Sequence, residues 1–386
     1  MSGGVLLIGG GLAAQRCVET LRARGWDGPL RMVAAEPCAP YDRPPLSKAA
    51  LRTDTAHAAV ALRPDGWHAA HGVDLLAGRR AVALDPAQRT VTLDDGVRLR
   101  DTHIVVATGS RPRTLALLDP FENVFTLRTL ADARTLAAVL TPGARMAVVG
   151  AGFLALEVAA TARRRGVAVT LIEAGAAPAA AVLGPQIGGW LAHLHRREGA
   201  AVHLATSVTG VHGRTRVEAL ALSTGAHVPC DAVLVAVGTV PDTAWAGFPD
   251  GVPVDRVGRA GRPGLWAAGD AARPWDADAR AHVRTQHWEA AASQGSAVAH
   301  AIAGLPVAAP ATAFWTDQYG IRMQFAGTAA GHDTVAIDGD LNRADARILY
   351  LRRGRPVGGL LVGRPRALPD LRRLLARGAR PKVAAA

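Results

Sequence analysis

Two copies of one glycine fingerprint constrain this chain more than any other feature: Gly9-Gly10-Gly11-Leu12-Ala13-Ala14 and Gly150-Ala151-Gly152-Phe153-Leu154-Ala155. Each follows an apolar run and opens a helix-like stretch. Val5-Leu6-Leu7-Ile8 reads as a buried parallel strand, and Leu12 to Arg24 as a helix closed by Gly25. The second copy repeats the plan, with Met146 to Val149 as strand, a helix to about Arg165 and Gly166 as its stop. In such a strand-turn-helix the first glycine (Gly9, Gly150) permits the tight turn and the second (Gly11, Gly152) lets the backbone approach a pyrophosphate. A small third residue (Ala14, Ala155) lets helix and strand pack closely. Backbone N–H groups and the positive helix end then hold phosphates without a basic side chain. Each unit is completed by an acid, Glu36 after Arg31 to Ala35 and Glu173 after Val169 to Ile172. There a carboxylate accepts from both hydroxyls of an adenosine ribose and repels a 2′-phosphate. Two full sets with their acids mean two dinucleotide sites in one chain.

A chain of 386 residues holds two or three domains with complete cores, and 49% hydrophobic with 20% charged residues excludes a largely disordered protein. No basic leader precedes the first strand, and no apolar run reaches the ~20 residues of a membrane span. A cytoplasmic protein with no membrane partner is expected. Cys17, Cys38 and Cys230 form neither a CxxC pair nor a disulfide ladder, which fits a reducing compartment and leaves no cysteine-ligated metal to expect. The formal charge of +12 has two readings, an Ala- and Arg-rich composition or an acidic partner. Nucleic acid is not the expected partner, because the basic residues are dispersed and not gathered with aromatics.

Along the chain, Pro40-Tyr41-Asp42-Arg43-Pro44-Pro45-Leu46-Ser47-Lys48 is too proline-dense for a strand and reads as a rigid loop. Short strands are expected at Val73 to Leu76, Ala81 to Leu84 and Thr90 to Leu93, and a longer apolar one at Ile104 to the stop at Gly109. Ala232 to Gly238 is expected to carry the chain back into the first lobe, with Leu265 to Asp270 as another core strand ending in an acid. Thr285 is the expected cap of a helix running to about Ala303. From Pro310 the pattern changes to short antiparallel strands at Ile321 to Phe325, Thr334 to Ile337, Arg347 to Leu351 and Val357 to Val362. A helix from Pro369 to Arg377 follows, then a frayed tail from Arg380 to Ala386. The fold class is therefore α/β, with two Rossmann-like dinucleotide-binding domains and a small C-terminal α+β domain carrying an antiparallel sheet. The expected domains are 1–110 with 231–309, 111–230, and 310–386.

Four segments carry a more specific likeness: the proline loop from Pro40 to Lys48, the Gly269-Asp270 strand end, His287-Trp288-Glu289-Ala290-Ala291-Ala292-Ser293-Gln294-Gly295, and Phe314-Trp315-Thr316-Asp317-Gln318-Tyr319. In this order they resemble the two-dinucleotide flavoprotein reductases of the glutathione-reductase fold. More narrowly, they resemble the NADH-dependent ferredoxin reductases that serve bacterial cytochromes P450 and aromatic-ring dioxygenases. The resemblance covers nearly the whole chain. It implies FAD in the first lobe, held by Gly9, Gly11, Ala14, Glu36, Arg43, Lys48, Asp270, His287 and Trp288. It implies NADH in the second, held by Gly150, Gly152, Ala155 and Glu173. The catalytic set it implies is Lys48, Glu157 and Trp315. Asp270 would accept from ribityl or pyrophosphate hydroxyls. Lys48 would sit near the flavin N5 edge, held by Glu157, and Trp315 would stack at the isoalloxazine or the nicotinamide. The helix beginning near His287 and Trp288 would stabilise negative charge on the flavin through its N-terminus.

Under this resemblance a hydride passes from NADH to the flavin, and single electrons then pass to a 2Fe-2S ferredoxin, whose usual acidity gives the +12 charge a steering role. Two features depart from the family. Ala174 to Ala181 carries no charge where relatives place arginines for the adenosine phosphate, and the cysteine pair of disulfide reductases is missing. Two other functions stay open at this point. An NADH oxidase, peroxide or disulfide reductase would need Cys38 as a flavin-facing thiol. A redox-responsive binding protein like the mammalian apoptosis-inducing flavoprotein would need no fast turnover.

Overall fold

The computed structural model describes residues 3–52, 57–277, 279–307 and 313–377. It divides into two compact units, one made of Met1–Pro44, Ala56–Arg111 and Thr239–Ala311, the other of Pro45–Thr55, Pro112–Gly238 and Thr312–Ala386.

The first unit is built on a five-stranded parallel sheet ordered Leu265–Ala267, His103–Val106, Val5–Ile8, Leu30–Ala34, Val73–Ala77. Val5–Ile8 is central, and none of its four residues is more than 2% exposed. Both faces of this strand are apolar because both are covered. Val5 and Leu7 face one cluster with Ala14, Cys17 and Leu21 of helix Leu12–Ala23 and Val298 of helix Trp288–Ile302. Leu6 and Ile8 alternate to the opposite face, against Ala81, Val91 and Leu93 of a three-stranded antiparallel sheet.

The second unit repeats the plan with Ala201–His203, Ala168–Ile172, Arg145–Val149, Ala232–Val235 and Val124–Phe125, all parallel. One face packs on a three-stranded antiparallel sheet through Val149, Val235, Leu220 and Val228. The same unit holds a five-stranded antiparallel sheet ordered Ala313–Gln318, Ile321–Gly327, Arg355–Val362, Asp345–Arg352, Thr334–Asp340. Leu371 of helix Leu368–Arg377 packs on Leu349 and Leu361 of that sheet. The α/β class, with parallel Rossmann-like parts and a C-terminal antiparallel sheet, is as expected.

Some expectations change. Ala232–Val235 is itself an inner strand of the second sheet, paired with Met146 to Val149, and the chain re-enters the first unit only after it, at Thr239. The second unit consequently runs on to Gly238 and does not stop at 230. Thr285 is not the cap, because the helix starts at Trp288 and the extended residue before it, His287 (φ −138°, ψ 151°), occupies the cap position. Ala313–Gln318 is a strand where only an aromatic segment was read. The change of pattern at Pro310 and the tail from Arg380 to Ala386 lie outside the described residues.

Candidate functional site

In the first unit Gly9 adopts φ +132°, and a Cβ there would stand 2.1 Å from the Ala107 carbonyl oxygen. Only glycine lets the chain leave the strand at this point. Gly11 has an ordinary extended backbone and caps helix Leu12–Ala23 without any side-chain cap bond. Apart from its chain neighbours, nothing among the described residues lies within 4 Å of where its Cβ would be. The helix therefore opens onto space, with its first N–H groups left for an incoming acceptor. Ala14 is fully buried, as the third fingerprint position requires. This cradle fits a pyrophosphate.

Glu36 lies just past the end of strand Leu30–Ala34. Its carboxylate accepts from the Tyr41 hydroxyl at 2.7 Å and the Arg43 guanidinium at 3.3 Å, both from the proline loop. The rigid loop thus clamps this carboxylate from two sides. In the sequence Tyr41 is one residue of a longer motif, with no local sign of this contact. The Trp288 indole donates to Asp42 at 2.5 Å and so fixes the same loop from the start of helix Trp288–Ile302. Asp270 follows strand Leu265–Ala267 and accepts from the Ser110 hydroxyl at 2.8 Å. Burial pulls His287 below the usual imidazole range, opposed by the nearby Asp270 charge. Gly295 closes the motif that begins at His287. A Cβ there would stand 2.2 Å from the Ala13 carbonyl oxygen, so it is the point where two helices meet backbone to backbone.

In the second unit Gly150 (φ +101°) abuts the Ala236 carbonyl, Gly152 caps helix Phe153–Arg164 over open space, and Ala155 is fully buried. Glu173 does more than the sequence indicated. Its two oxygens accept from the backbone N–H groups of Ala151 and Gly175, each at 2.6 Å. A carboxylate has about four lone-pair sites, so capacity remains for ribose hydroxyls.

Lys48 and Glu157 meet as expected, Nζ to Oε2 at 2.6 Å. Glu157 projects from a helix buried along most of its length and is itself 7% exposed. A carboxylate so placed must be saturated with donors. Ser47 Oγ reaches Oε2 at 2.5 Å, Thr316 Oγ1 reaches Oε1 at 2.8 Å, and the Asp317 N–H adds a longer bond at 3.2 Å. The Thr161 hydroxyl donates to the Ser47 carbonyl at 2.8 Å and the Arg165 guanidinium donates to the Leu51 carbonyl, so the segment carrying Lys48 is pinned to the helix carrying Glu157.

Strand Ala313–Gln318 alternates. Phe314, Thr316 and Gln318 are buried, and the Phe314 ring packs on Phe153 and Phe325. Trp315 and Asp317 point to the opposite, half-exposed side, where the Arg322 guanidinium lies 5.3 Å from the Trp315 ring centre. Burial raises Asp317 above the usual carboxylate range, opposed by Arg322 and Lys48 and reinforced by Glu157.

The thiols of Cys17 and Cys230 are pushed up by burial to about 12 and about 11, which makes both inert. Cys38 is half-buried. Among the described residues no helix is long and apolar enough to cross a membrane.

Residues 4–295 match the family described as pyridine nucleotide-disulphide oxidoreductase, and residues 313–386 match the reductase C-terminal family. The chain belongs to the pyridine nucleotide-disulphide oxidoreductase family. This oxidoreductase is 38% identical over 378 residues to the ferredoxin reductase component of chlorobenzene dioxygenase from Cupriavidus sp. (strain PS12), covering 96% of this chain and 92% of that one. It is 32% identical to putidaredoxin reductase of Pseudomonas putida, over 94% of this chain and 89% of the relative. A crystal structure of the covalent putidaredoxin reductase–putidaredoxin complex matches with a TM-score of 0.92 at 30% identity, covering 97% of this chain and 93% of that one. FAD and NADH are the cofactors of such an oxidoreductase, and both glycine-capped helices have the open backbone those nucleotides need.

The buried imidazole of His195, on helix Ala180–Arg197, makes one prediction independent of function. Burial lowers it from 6.5 to about 4. Below pH 6.5 the unfolded chain takes up a proton that the folded chain refuses until about pH 4, so stability present above 6.5 is lost as pH falls through that window. The loss attributable to His195 is about 3 kcal/mol. Denaturant midpoints of the native protein and His195→Gln across this window should diverge, with the variant flatter; parallel curves would refute the prediction.

Proposed function

We propose that this chain passes electrons from NADH through FAD to a 2Fe-2S ferredoxin that supplies a cytochrome P450 or a ring-hydroxylating dioxygenase. The observation that carries the proposal is whole-length likeness to ferredoxin reductase components, joined to two separate glycine-capped helix ends open to a nucleotide. The reading includes three domains, an FAD lobe, an NAD lobe and a C-terminal sheet, and a cytoplasmic location.

Bound FAD supplies a centre that accepts two electrons at once and releases them singly. The chain's own residues bind and orient. Gly9, Gly11 and Ala14 give the pyrophosphate its cradle, and Glu36, held by Tyr41 and Arg43, takes the adenosine ribose. Asp270 accepts from ribityl hydroxyls, as it does from the Ser110 hydroxyl. The start of helix Trp288–Ile302, at His287 and Trp288, favours negative charge on the flavin. Gly150, Gly152, Ala155 and Glu173 hold NADH, and the carboxylate of Glu173 disfavours a 2′-phosphate. Lys48, fixed by Glu157, orients the nicotinamide, and Trp315 forms an apolar wall that excludes water.

Anaerobic addition of NADH to the purified yellow protein should bleach it, and a 2Fe-2S ferredoxin should restore the colour far faster than oxygen does. The +12 charge implies that reoxidation by an acidic ferredoxin slows steeply with added salt. Colourless protein that takes up no FAD, or reoxidation indifferent to ferredoxin, would overturn the reading. Cys38→Ser should keep full ferredoxin reduction, because no thiol step is used. Loss of activity in that variant would favour the peroxide or disulfide reductase alternative.

A further inference from the structure

The ring of donors around Glu157 does not end at Thr316. The Thr316 oxygen lies 3.2 Å from Gln318 Nε2, Gln318 Oε1 lies 3.0 Å from His195 Nε2, and His195 Nδ1 lies 3.0 Å from the Tyr319 hydroxyl. Thr316, Gln318 and His195 are at most 2% exposed, so water does not supply alternative partners. The direction of every bond follows from the carboxylate end. An ionised carboxylate only accepts, so the Thr316 hydroxyl spends its one proton on Glu157. Thr316 must then accept, which turns the Gln318 amide nitrogen toward it and the amide oxygen toward His195. That oxygen requires a proton on His195 Nε2. A neutral ring then leaves Nδ1 bare, and it accepts from the Tyr319 O–H.

We infer that Tyr319, His195, Gln318 and Thr316 form a one-way donor chain ending on Glu157, which makes them positioning residues for the Lys48 ammonium. The chain draws on three separated stretches of sequence, and each donor in it is polarised by the one behind. With Oε1 held by Thr316, Oε2 is left to Ser47 and Lys48. The charged and titratable groups facing the chain are Lys48 and Asp317 at one end and Glu198, Arg163 and Arg164 at the other, with Arg322 beside Asp317.

The backbone at Tyr319 supports the same conclusion. Tyr319 has φ +54° in the turn between strands Ala313–Gln318 and Ile321–Gly327, followed by Gly320 at φ +85°. A bulky aromatic residue is rare in this left-handed region, where asparagine or glycine is usual. What the strained position achieves is contact with His195: the ring sits edge-on to the imidazole at 5.0 Å, with its hydroxyl on Nδ1.

The role of this chain rests on the proposal that Lys48 and Glu157 serve the nicotinamide, so its test has one arm that does not depend on turnover. Nitrogen-15 spectra of the FAD-loaded protein should show His195 as the neutral Nε2–H tautomer with a deshielded ring proton. That proton should move upfield in Glu157→Gln and Thr316→Val, although neither residue touches His195, and stay in place in Thr316→Ser. In stopped flow, Thr316→Val should slow flavin reduction by NADH about tenfold at unchanged NADH affinity. Thr316→Ser should restore the rate to within about twofold, because it keeps the hydroxyl. A proton on Nδ1, a His195 signal indifferent to Glu157→Gln, or equal rates in the valine and serine variants would overturn the inference. Spectral coupling that persists while Lys48→Met reduces flavin at the native rate would sustain the donor chain and refute instead the catalytic reading of the pair.

Discussion

Gly9→Ala abolishes FAD binding and lowers stability by about 4 kcal/mol or more, whereas Gly11→Ala leaves the apoprotein's melting temperature within a degree or two of native and weakens FAD alone. The two glycines sit in one fingerprint but answer to different forces. At Gly9 the backbone is at φ +132° and an added Cβ would enter the Ala107 carbonyl at 2.1 Å. That carbonyl cannot retreat, because Ala107 N–H is bonded to the Ile8 oxygen at 2.8 Å and the strand before it is registered on Val5–Ile8. At Gly11 the backbone is φ −103°, ψ −176°, which alanine adopts freely, and among the described residues the Cβ would meet nothing within 4 Å beyond its chain neighbours. A methyl there meets only what binds. Flavin absorbance per protein, read with thermal denaturation of the stripped apoprotein, separates the two; equal melting losses would show that Gly11 is a folding residue.

Lys48→Met reduces the rate of flavin reduction by NADH by about 100-fold and costs about 3 kcal/mol of stability. The stability loss arises because Glu157, 7% exposed, keeps its charge but loses the cation 2.6 Å away. The rate loss has a different origin, the missing ammonium that the proposed function assigns to the nicotinamide. The two are separable. Lys48→Met combined with Glu157→Gln removes the uncompensated charge, so it should recover most of the stability while the rate stays low. A double variant that regains the rate would confine the pair to folding.

Much of this arrangement could be read from residues whose role is set by local backbone geometry. The two glycine fingerprints, the central strand Val5–Ile8 and the stop glycines follow from steric rules acting within a few residues, and they appear where expected. The Lys48–Glu157 pair was legible only through family likeness, since its members come from segments far apart in the chain. The rest depended on long-range contacts with no local trace. Ser47 and Thr316 look like ordinary polar residues until both are found on one buried carboxylate. His195 lies in a helix read from no motif, and Gln318 belongs to a strand whose aromatic neighbours drew attention to themselves. Thr285 failed as a cap for a related reason: its hydroxyl matched the capping pattern, but the helix begins three residues later, with His287 in the cap position. Ala232–Val235 was misplaced because an apolar strand carries no label for which sheet will receive it.

The carboxylate of Glu173 ties the turn at Ala151 to the bend at Gly175. Anyone redesigning coenzyme choice would begin by replacing this acid with a neutral or basic side chain to welcome a phosphorylated sugar. Here the replacement would also untie the turn to which the proposed function assigns the diphosphate, so both coenzymes would be held more weakly. Altered preference has to be built together with a new acceptor for those two amides.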